Sequence, residues 1–530
     1  MTAPDPLLHA RSQSLGDIPR RSAARFPDRV AIVHRDVRLT FAELDARIDA
    51  AAAAFHAAGL RPGDRLALLS HNCWQFPVVA FAAARLGVVL VPVNFMLTSA
   101  EIAYILDDCT ARAIVVEDAL LDVAEGALTA TRNRVEIRAA IPLAGQRRPG
   151  WRDLDAWIAE PAPSAPPVTV GDDDLIRIMY TSGTESRPKG AMHSSRSLMW
   201  QYLSCIVTGG MSADDVEVHA MPLYHCAQLD NFLSTDLMLG ATSIILDRPA
   251  PEALQAAVRD WRATKLFCPP TVWIALLGAD GFAAEDLRTL RKGYYGASAL
   301  PPELIRQMTT ALPDLRLWNF YGQTEMASLA TALGPEDQAA RPGSAGRPAL
   351  NVETRIVDDE DRELPAGVVG EIVHRSPQAT LGYLNQPAKT AEAFRGGWFH
   401  SGDLGYLDDD GYLWVVDRKK DMIKTGGENV ASREVEEVLF ELDDVLEAAV
   451  IGLPDPHWVE VVTAVVVARP GTEVTEDRVR EHCRTRLAGF KVPKQVHVVT
   501  ALPKNPSGKI LKRALRERFE ANSEQASPAT

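Results

Sequence analysis

Residues 180–190, YTSGTESRPKG, place small hydroxylated residues, a glycine and a lysine in one short stretch. This combination is typical of a loop that holds an anion, most often a phosphate, through hydroxyls, backbone N–H groups and a cation. The residues that would do so are Thr181, Ser182, Gly183, Thr184 and Lys189. The stretch is not a Walker A loop, because Pro precedes the lysine and Gly follows it. Taken alone, it is also compatible with an ordinary surface loop.

Residues 318–325, WNFYGQTE, set polar side chains beside aromatic rings. A purine base needs a flat apolar slot, which Tyr321 would supply, and a few hydrogen-bonding groups at its edge. Glu325 offers a carboxylate to a Mg²⁺ ion that bridges phosphates. The stretch therefore predicts a nucleotide contact, and the alternative is a packed turn with a surface glutamate.

Two further stretches carry isolated charged residues among turn-forming ones. In HSGDLG, Asp403 lies between glycines, where backbone approaches a ligand closely and a carboxylate suits a ribose diol. Gly426 and Gly427 indicate a second close approach, or simply a tight turn. Lys509 follows Pro-Ser-Gly, and this turn would hold its ammonium in place as a catalytic cation. A lone loop lysine is usually a solvated charge, which is the alternative here.

The elements that must position these residues follow from the apolar pattern. Apolar runs alternate with helix-period segments, for example a strand at 30–34, a helix at 41–60 and a strand at 64–72. This β-α-β rhythm is typical of parallel sheets covered by helices. After residue 350 the pattern changes to hairpins, and past residue 430 to a compact αβ pattern with a helix over 477–490.

The predicted fold class is α/β. We expect a large N-terminal domain of parallel and mixed sheets covered by helices, a β-barrel-like subdomain, and a small mobile α+β C-terminal domain. The domains are placed at 1–418 and 419–530, with the hinge near Lys420 in the charged turn 417–421. Segment 411–424 predicts a strand, this charged turn and an apolar return.

The composition argues against several classes of protein. The 530-residue chain has a formal net charge of −14, whereas nucleic-acid binding depends on Lys and Arg that neutralise phosphates. No run of about 18 apolar residues predicts a membrane span, and the N-terminus lacks a signal pattern. The six cysteines have no CxxC spacing, so we expect buried thiols in a reducing cytoplasm rather than disulfides or a zinc site.

The four stretches, in this order and spacing, resemble the adenylate-forming superfamily. It contains acyl- and aryl-CoA synthetases, the adenylation domains of peptide synthetases and firefly-type luciferases. Residues 39–55, LTFAELDARIDAAAAAF, and residues 221–228, MPLYHCAQ, are similar to two further blocks of that superfamily, so the resemblance covers almost the whole chain. Within that superfamily, the chain as a whole most resembles bacterial fatty-acyl-CoA synthetases.

The resemblance implies a two-step ligase that uses ATP and Mg²⁺. A small-molecule carboxylic acid attacks the α-phosphate of ATP to give an acyl-adenylate and pyrophosphate. A thiol, that of CoA or of a carrier protein, then attacks the adenylate. Both partners in the first step are anions, so cations and backbone donors must offset their repulsion.

The resemblance also implies a role for each matching residue. The phosphate loop named above would wrap the β- and γ-phosphates, Thr184 and Glu325 would lie near Mg²⁺, and Asp403 with Arg418 would take the ribose. Lys509 would bridge the acid carboxylate and the α-phosphate. The nucleotide set is completed by Gly296, Ala297, Ser298, Asn319, Tyr321, Gly322 and Thr324.

The remaining implied roles concern the acid, the hinge and the thiol. His225 would lie against the carboxylate, with a hydrogen-bonded loop histidine as the alternative. Rotation at Lys420 would carry Lys509 away and bring Gly426 and Gly427 to the thiol tunnel. Lys424 and Asn429 match positions that line the site in related ligases.

One departure and several alternatives remain. The phosphate loop of this superfamily usually has a glycine where this chain has Ser186, and Glu185 adds a negative charge, which puts loop conformation and ATP affinity in question. The acid could be fatty or aromatic, and Asp230 and Asn231 could bind a polar substituent or face solvent. The acceptor is expected to be CoA. The alternatives are a carrier protein in trans or an unusual nucleophile, including the activation of a small inorganic acid, and a catalytically silent scaffold. The oligomeric state stays open, with a homodimer as one alternative.

Overall fold

The structure is a computed structural model that describes most of the residues of the chain. The described ranges are 6–11, 13–166, 168–181, 188–296, 300, 302–425, 428–455, 457–504 and 510–525. Within them, no helix is both long and apolar enough to cross a membrane. The six cysteines are free and buried, as expected from their scattered positions.

The helices begin at local capping signals. The side chains of Thr40 and Thr98 each accept a hydrogen bond from the backbone N–H of a glutamate three residues later. The carboxylate of that glutamate accepts a hydrogen bond from the backbone N–H of the threonine. The α-helices in chain order are α1 Pro6–Arg11, α2 Ile18–Arg25, α3 Phe41–Ala57, α4 Gln75–Arg85, α5 Ser99–Asp108, α6 Leu121–Ala130, α7 Leu154–Ala159, α8 Ser195–Gly209, α9 Ser234–Leu239, α10 Pro251–Trp261, α11 Pro270–Leu277, α12 Pro302–Ala311, α13 Pro387–Ala393, α14 Ser432–Phe440, α15 Glu476–Arg484 and α16 Lys512–Gln525. A π-helix, Ala227–Leu233, runs directly into α9.

The strands are short and many are buried on both faces, as in β5, in which every residue is buried. The strands in chain order are β1 Val30–His34, β2 Val37–Thr40, β3 Arg65–Leu69, β4 Val89–Val93, β5 Ala113–Glu117, β6 Ile137–Ile141, β7 Arg152–Asp153, β8 Leu175–Thr181, β9 Lys189–Ser194, β10 Val216–His219, β11 Thr242–Ile245, β12 Lys265–Phe267, β13 Lys292–Gly296, β14 Arg316–Tyr321, β15 Thr331–Leu333, β16 Arg347–Pro348, β17 Glu353–Val357, β18 Gly370–Arg375, β19 Phe399–Leu407, β20 Leu413–Arg418, β21 Ile423–Thr425, β22 Glu428–Val430, β23 Val445–Asp455, β24 Val459–Ala468 and β25 Gln495–Val498.

Two large sheets build the N-terminal part. One has the described order β7-β6-β5-β3-β4-β8-β9, and the other β16-β15-β14-β13-β12-β10-β11-β1-β2. Pairing is parallel inside both sheets, and antiparallel pairs occur at one end of the first, where β9 joins β8, and at both ends of the second, where β15 joins β14 and β2 joins β1. This arrangement confirms the predicted α/β class of parallel and mixed sheets with helices packed on them.

The later part of the chain forms two smaller sheets. Strands β17-β18-β19-β20 make an antiparallel sheet where a barrel-like subdomain was expected, and β22-β21-β24-β23 with β25 makes the C-terminal sheet. The segment 411–424 differs from its prediction, because β21 does not return along β20 but pairs with β22 and β24. The charged turn between β20 and β21 therefore connects two different sheets.

Two helices are shorter than their patterns predict, and one of them is α3, which is expected over 41–60 and ends at Ala57. The helix expected over 477–490 ends at Arg484, although its N-terminus is capped by the Thr475 side chain. Beyond it, the backbone N–H of Leu487 still donates to Cys483 O, and the chain then turns through Gly489 toward Pro493. Glycine and proline are poor helix formers, which explains the early end.

Candidate active site

The carboxyl ends of two neighbouring parallel strands form the floor of the candidate site. Strand β13 ends at Gly296, which lies beside Phe320 of β14. A Cβ at Gly296 would lie 2.5 Å from Phe320 O, and one at Gly322 would lie 2.1 Å from Ser328 O. Both positions therefore require glycine because backbone lies against backbone. Ligands of open α/β sheets bind at such strand ends.

A buried carboxylate collects hydrogen bonds beside this floor. Asp403 on β19 is 4% exposed. Its Oδ2 accepts from the Tyr321 hydroxyl at 2.8 Å and from Gln323 Nε2 at 2.8 Å, while Arg418 Nε lies 2.9 Å from Oδ1. Burial and the charge of Asp403 raise the pKa of Tyr321 well above its ordinary value, so Tyr321 stays a donor. Two donors occupy Oδ2, whereas the buried Oδ1 accepts no hydrogen bond from the described residues and so keeps acceptor capacity for a ligand hydroxyl.

A second group of contacts lies at the frame of the phosphate loop. Thr181 and Lys189 are paired across the β8–β9 hairpin. The Lys189 Nζ lies 5.2 Å from the centroid of the Tyr383 ring, and the Tyr383 hydroxyl donates to Glu325 Oε1 at 2.8 Å. Tyr383 therefore holds a cation on its face and a carboxylate at its hydroxyl. Sequence reasoning did not find Tyr383, since nothing around it marks a motif.

The segment from Tyr321 to Glu325 joins these two groups. Tyr321 and Gln323 point to Asp403, whereas Glu325 points to Tyr383. Among the described residues no hydrogen bond reaches Glu325 Oε2, and a hard cation prefers carboxylate oxygens and substrate phosphates, so this residue fits a Mg²⁺ ligand. One short segment thus contacts both Asp403, predicted to bind the ribose, and the Tyr383 ring that faces Lys189, the predicted phosphate cation.

The loop that carries His225 contacts Thr324 through the neighbouring residue Cys226. The half-buried His225 ring accepts at Nδ1 from the backbone N–H of Ala227, 3.1 Å away, so a neutral ring carries its proton on Nε2. The neighbouring Cys226 Sγ lies 3.5 Å from Thr324 Oγ1. The structure therefore brings the predicted acid-side histidine close to the predicted nucleotide motif.

Asn319 has a different partner from the one predicted. Its side chain is 6% exposed, and its Nδ2 donates to Ser344 O at 3.0 Å. The amide thus holds the protein's own backbone, and this contact lends no support to a role at a base edge. Asp230 and Asn231, expected either at solvent or against a polar substituent, are 1% and 3% exposed, so the solvent alternative is wrong.

The hinge and the C-terminal hairpin carry the remaining predicted residues. Lys420 is exposed, but surrounding protein atoms displace part of the water around its ammonium, and this desolvation and the nearby charge of Arg418 lower its pKa to about 8. Lys424 and Asn429 face each other across the β21–β22 hairpin and are exposed. The Lys424 backbone N–H donates to Glu460 Oε2 at 2.7 Å.

Several predicted residues lie outside the described part of the chain. These are Ser182, Gly183, Thr184, Glu185 and Ser186 of the phosphate loop, Ala297 and Ser298 after β13, Gly426 and Gly427 of the thiol-tunnel hairpin, and Lys509.

Comparisons with known proteins agree with this arrangement. Residues 19–384 match the family described as AMP-binding enzyme, and residues 434–509 match AMP-binding enzyme C-terminal domain. A feruloyl-CoA synthase from Amycolatopsis sp is 38% identical over 509 residues, 96% of this chain and 100% of that protein. The fatty acid–[acyl-carrier-protein] ligase ScoC from Streptomyces coeruleorubidus is 34% identical, over 98% of this chain and 99% of its own.

A solved structure is similar over nearly the full length. The anthranilate CoA ligase AuaEII, in complex with anthranoyl-AMP, superposes with a TM-score of 0.89 at 27% identity. The match covers 96% of this chain and 98% of that one. The likeness therefore includes both the N-terminal sheets and the C-terminal sheet.

Proposed function

We propose that this chain, which belongs to the AMP-binding enzyme family, is an AMP-forming carboxylic acid–CoA ligase. The ligase acts through an acyl-adenylate. The observation that carries the proposal is the segment 321–325, which reaches Asp403 with one end and the Tyr383–Lys189 pair with the other. A nucleoside triphosphate needs both ends at once, a carboxylate for the ribose and cations for the phosphates.

In the first step a carboxylate oxygen of the acid bonds to the α-phosphorus, and the bond to the β-phosphate oxygen breaks. Pyrophosphate leaves with the electron pair. Lys189 and Arg418 both lie in the part of the chain that the structure describes. Their positive charges would offset the charge of the two anionic reactants. Mg²⁺, held by Glu325 and by Thr184 as the family resemblance implies, would neutralise phosphate charge. Lys509 would serve at the α-phosphate in the same way.

In the second step a thiol sulfur bonds to the acyl carbon, AMP leaves, and the thiol proton goes to solvent. The C-terminal sheet offers a surface for the rest of a CoA molecule. Trp458 is 37% exposed, and Lys494 Nζ lies 3.1 Å from its ring centroid. Phe490 is also 37% exposed. Aromatic faces beside an ammonium suit a purine nucleotide with phosphates.

This surface adjoins the hairpin that is expected to form the thiol tunnel. Val459, next to Trp458, pairs with Thr425 of β21, which leads directly into that hairpin. Lys424 and Asn429 lie across the same hairpin. The thiol end and the nucleotide end of CoA would therefore meet one face of the C-terminal domain, which supports CoA as the acceptor.

The test is acid-dependent release of pyrophosphate from ATP, run with and without CoA. The panel includes ferulate, anthranilate and fatty acids of several lengths, because related proteins are named for such acids. We expect one acid class to trigger release and CoA to convert it to a thioester of the expected mass. Release that CoA does not accelerate would move the acceptor to a carrier protein, as in the name of ScoC. No release with any acid would reject the proposal.

A further inference from the structure

The π-helix Ala227–Leu233 is buried and carries polar residues inward. π-helical turns are rare and occur frequently at functional sites. Gln228, Asp230 and Asn231 are 0%, 1% and 3% exposed. A widened turn has poorer backbone hydrogen bonds, so side-chain anchors decide whether it holds its shape. Since His225 lies two residues before this helix, the anchors also influence where the predicted acid-side histidine lies.

Each of these polar residues is bound to a different part of the protein. Gln228 Nε2 donates to His219 Nδ1 of β10 at 2.7 Å. Asn231 Nδ2 donates to Ser328 Oγ at 3.1 Å. Asp230 forms an ion pair with Arg177 of β8. Only the last of these three anchors reaches the strand that leads into the phosphate loop.

Arg177 lies on the same face of the β8–β9 hairpin as the phosphate-loop frame. It is four residues before Thr181, and strand residues two and four apart share a face. Its cross-strand partner is His193, just as Lys189 is the partner of Thr181. The distance along the strand is about 13 Å at 3.3 Å per residue. A rigid strand thus connects the ion pair to the phosphate end.

The ion pair is isolated from solvent and balanced in charge. The Arg177 and Asp230 side chains are 2% and 1% exposed. Asp230 Oδ1 also accepts from the Tyr202 hydroxyl at 2.7 Å. Burial and the charge of Arg177 lower the pKa of His193 to about 3, so this neighbour stays neutral. Asp230 is therefore the group that balances Arg177, and loss of either one leaves a buried charge.

We propose that the Arg177–Asp230 ion pair is a positioning device that couples the phosphate-loop hairpin to the π-helix that follows His225, the residue expected at the acid carboxylate. The pair sets the separation between the acid carboxylate and the α-phosphate. This inference rests on the proposed function, since it gives the pair a role in the adenylation step. Reacting groups must lie within about 3–3.5 Å in an aligned pose, and a misplacement of about 1 Å lowers the rate about 100-fold.

The test is the double variant Arg177→Met/Asp230→Asn, which removes both charges and leaves an acceptor for the Tyr202 hydroxyl. We expect a folded protein with KM values for ATP and acid within about 3-fold of the parent and a kcat for adenylation about 10- to 100-fold lower. The matched control is Lys292→Met/Asp215→Asn. It removes a partly buried ion pair at the start of β13, which belongs to the other large sheet. Its kcat is expected to stay within about 3-fold.

Two outcomes would overturn the inference. A double variant with the parent kcat would show that the pair serves stability alone. A raised KM with unchanged kcat would show a role in binding and not in positioning. If the double variant fails to fold, Asp230→Glu keeps the charge balance and moves the carboxylate by one methylene, and the same fall in kcat is expected. Absence of adenylation in the parent protein would instead reject the proposed function.

Discussion

The hydroxyl of Tyr383 donates a 2.8 Å hydrogen bond to Glu325 Oε1. The face of the same ring meets the Lys189 ammonium, 5.2 Å from the ring centroid. One side chain thus orients both the expected Mg²⁺ ligand and the expected phosphate cation. The two functions of the ring, face and hydroxyl, are separable by mutation.

Tyr383→Phe keeps the ring under Lys189 and removes the hydrogen bond to Glu325. A hydrogen bond to a charged group contributes about 1.5–3 kcal/mol, so the Mg²⁺ concentration for half-maximal activity is expected to rise about 10-fold. The measurement is a Mg²⁺ titration of pyrophosphate release at saturating acid. Tyr383→Leu, which also loses the ring, should further raise the KM for ATP. An unchanged Mg²⁺ requirement in Tyr383→Phe would contradict the role assigned to this contact.

Asp403→Asn removes the charge that faces Arg418 but keeps the size of the side chain. We expect the KM for ATP to rise at least about 10-fold, because charge-assisted hydrogen bonds are about twice as strong as neutral ones and Arg418 loses its buried partner. Steady-state kinetics with varied ATP measure the effect, and a thermal melt controls for folding. An ATP KM equal to that of the parent would remove Asp403 from the nucleotide site.

Asn319→Ala separates a structural role from a nucleotide role. Loss of the bond to Ser344 O leaves a buried carbonyl without its donor, which costs about 1–3 kcal/mol. We expect a lower urea midpoint and an ATP KM within about 2-fold of the parent, since the amide is committed to the backbone. The two readouts are urea unfolding and ATP kinetics. A large rise in KM without loss of stability would restore the original prediction for Asn319.

Trp458→Ala tests the surface that is proposed to receive CoA. Stacking of a base on an aromatic ring contributes about 1–3 kcal/mol, so the KM for CoA is expected to rise about 5- to 100-fold. Acid-dependent pyrophosphate release without CoA should stay as in the parent, because the residue lies in the turn before β24 and is not among those assigned to the nucleotide. Trp414→Ala, at a half-buried ring on β20, is the comparison. Equal loss of both half-reactions would argue against a CoA-specific surface.

Glu371 makes stability dependent on pH near the hinge. Although burial works against it, hydrogen bonds from His400 and Arg395 and the charge of Lys419 lower its pKa to about 2. Because the folded pKa lies below the unfolded value of about 4.3, its stabilisation is complete above about pH 5 and is lost as the pH falls toward 2. A shift of this size corresponds to roughly 3 kcal/mol.

Glu371→Gln checks this directly through urea unfolding at several pH values. We expect the variant to be less stable than the parent at pH 7 and the two to converge in acid. A constant difference between the two proteins at every pH would mean that packing and not charge explains the loss.

The order of the motifs and the alternation of elements were predictable from the sequence. Each motif is one continuous segment of the chain: the phosphate loop, residues 318–325 and residues 397–430. The chemistry of each depends on residue types only a few positions apart. Strands such as Ala113–Glu117 were predictable because a buried parallel strand is continuously apolar. The residues at which helices and strands end were less predictable from the sequence. The helix expected to reach residue 490 ends at Arg484.

The sequence by itself determined which segments are candidates for nucleotide binding, because local spacing decides which groups a loop or strand end presents. Only the tertiary structure decided their partners. Tyr383 reaches Glu325 across 58 residues, and Arg177 reaches Asp230 across 53. Neither pair has a local signal, since a tyrosine after a turn and an arginine in a strand occur in any protein. Burial makes each of these polar groups find a partner, and the packing of distant strands and helices selects which one.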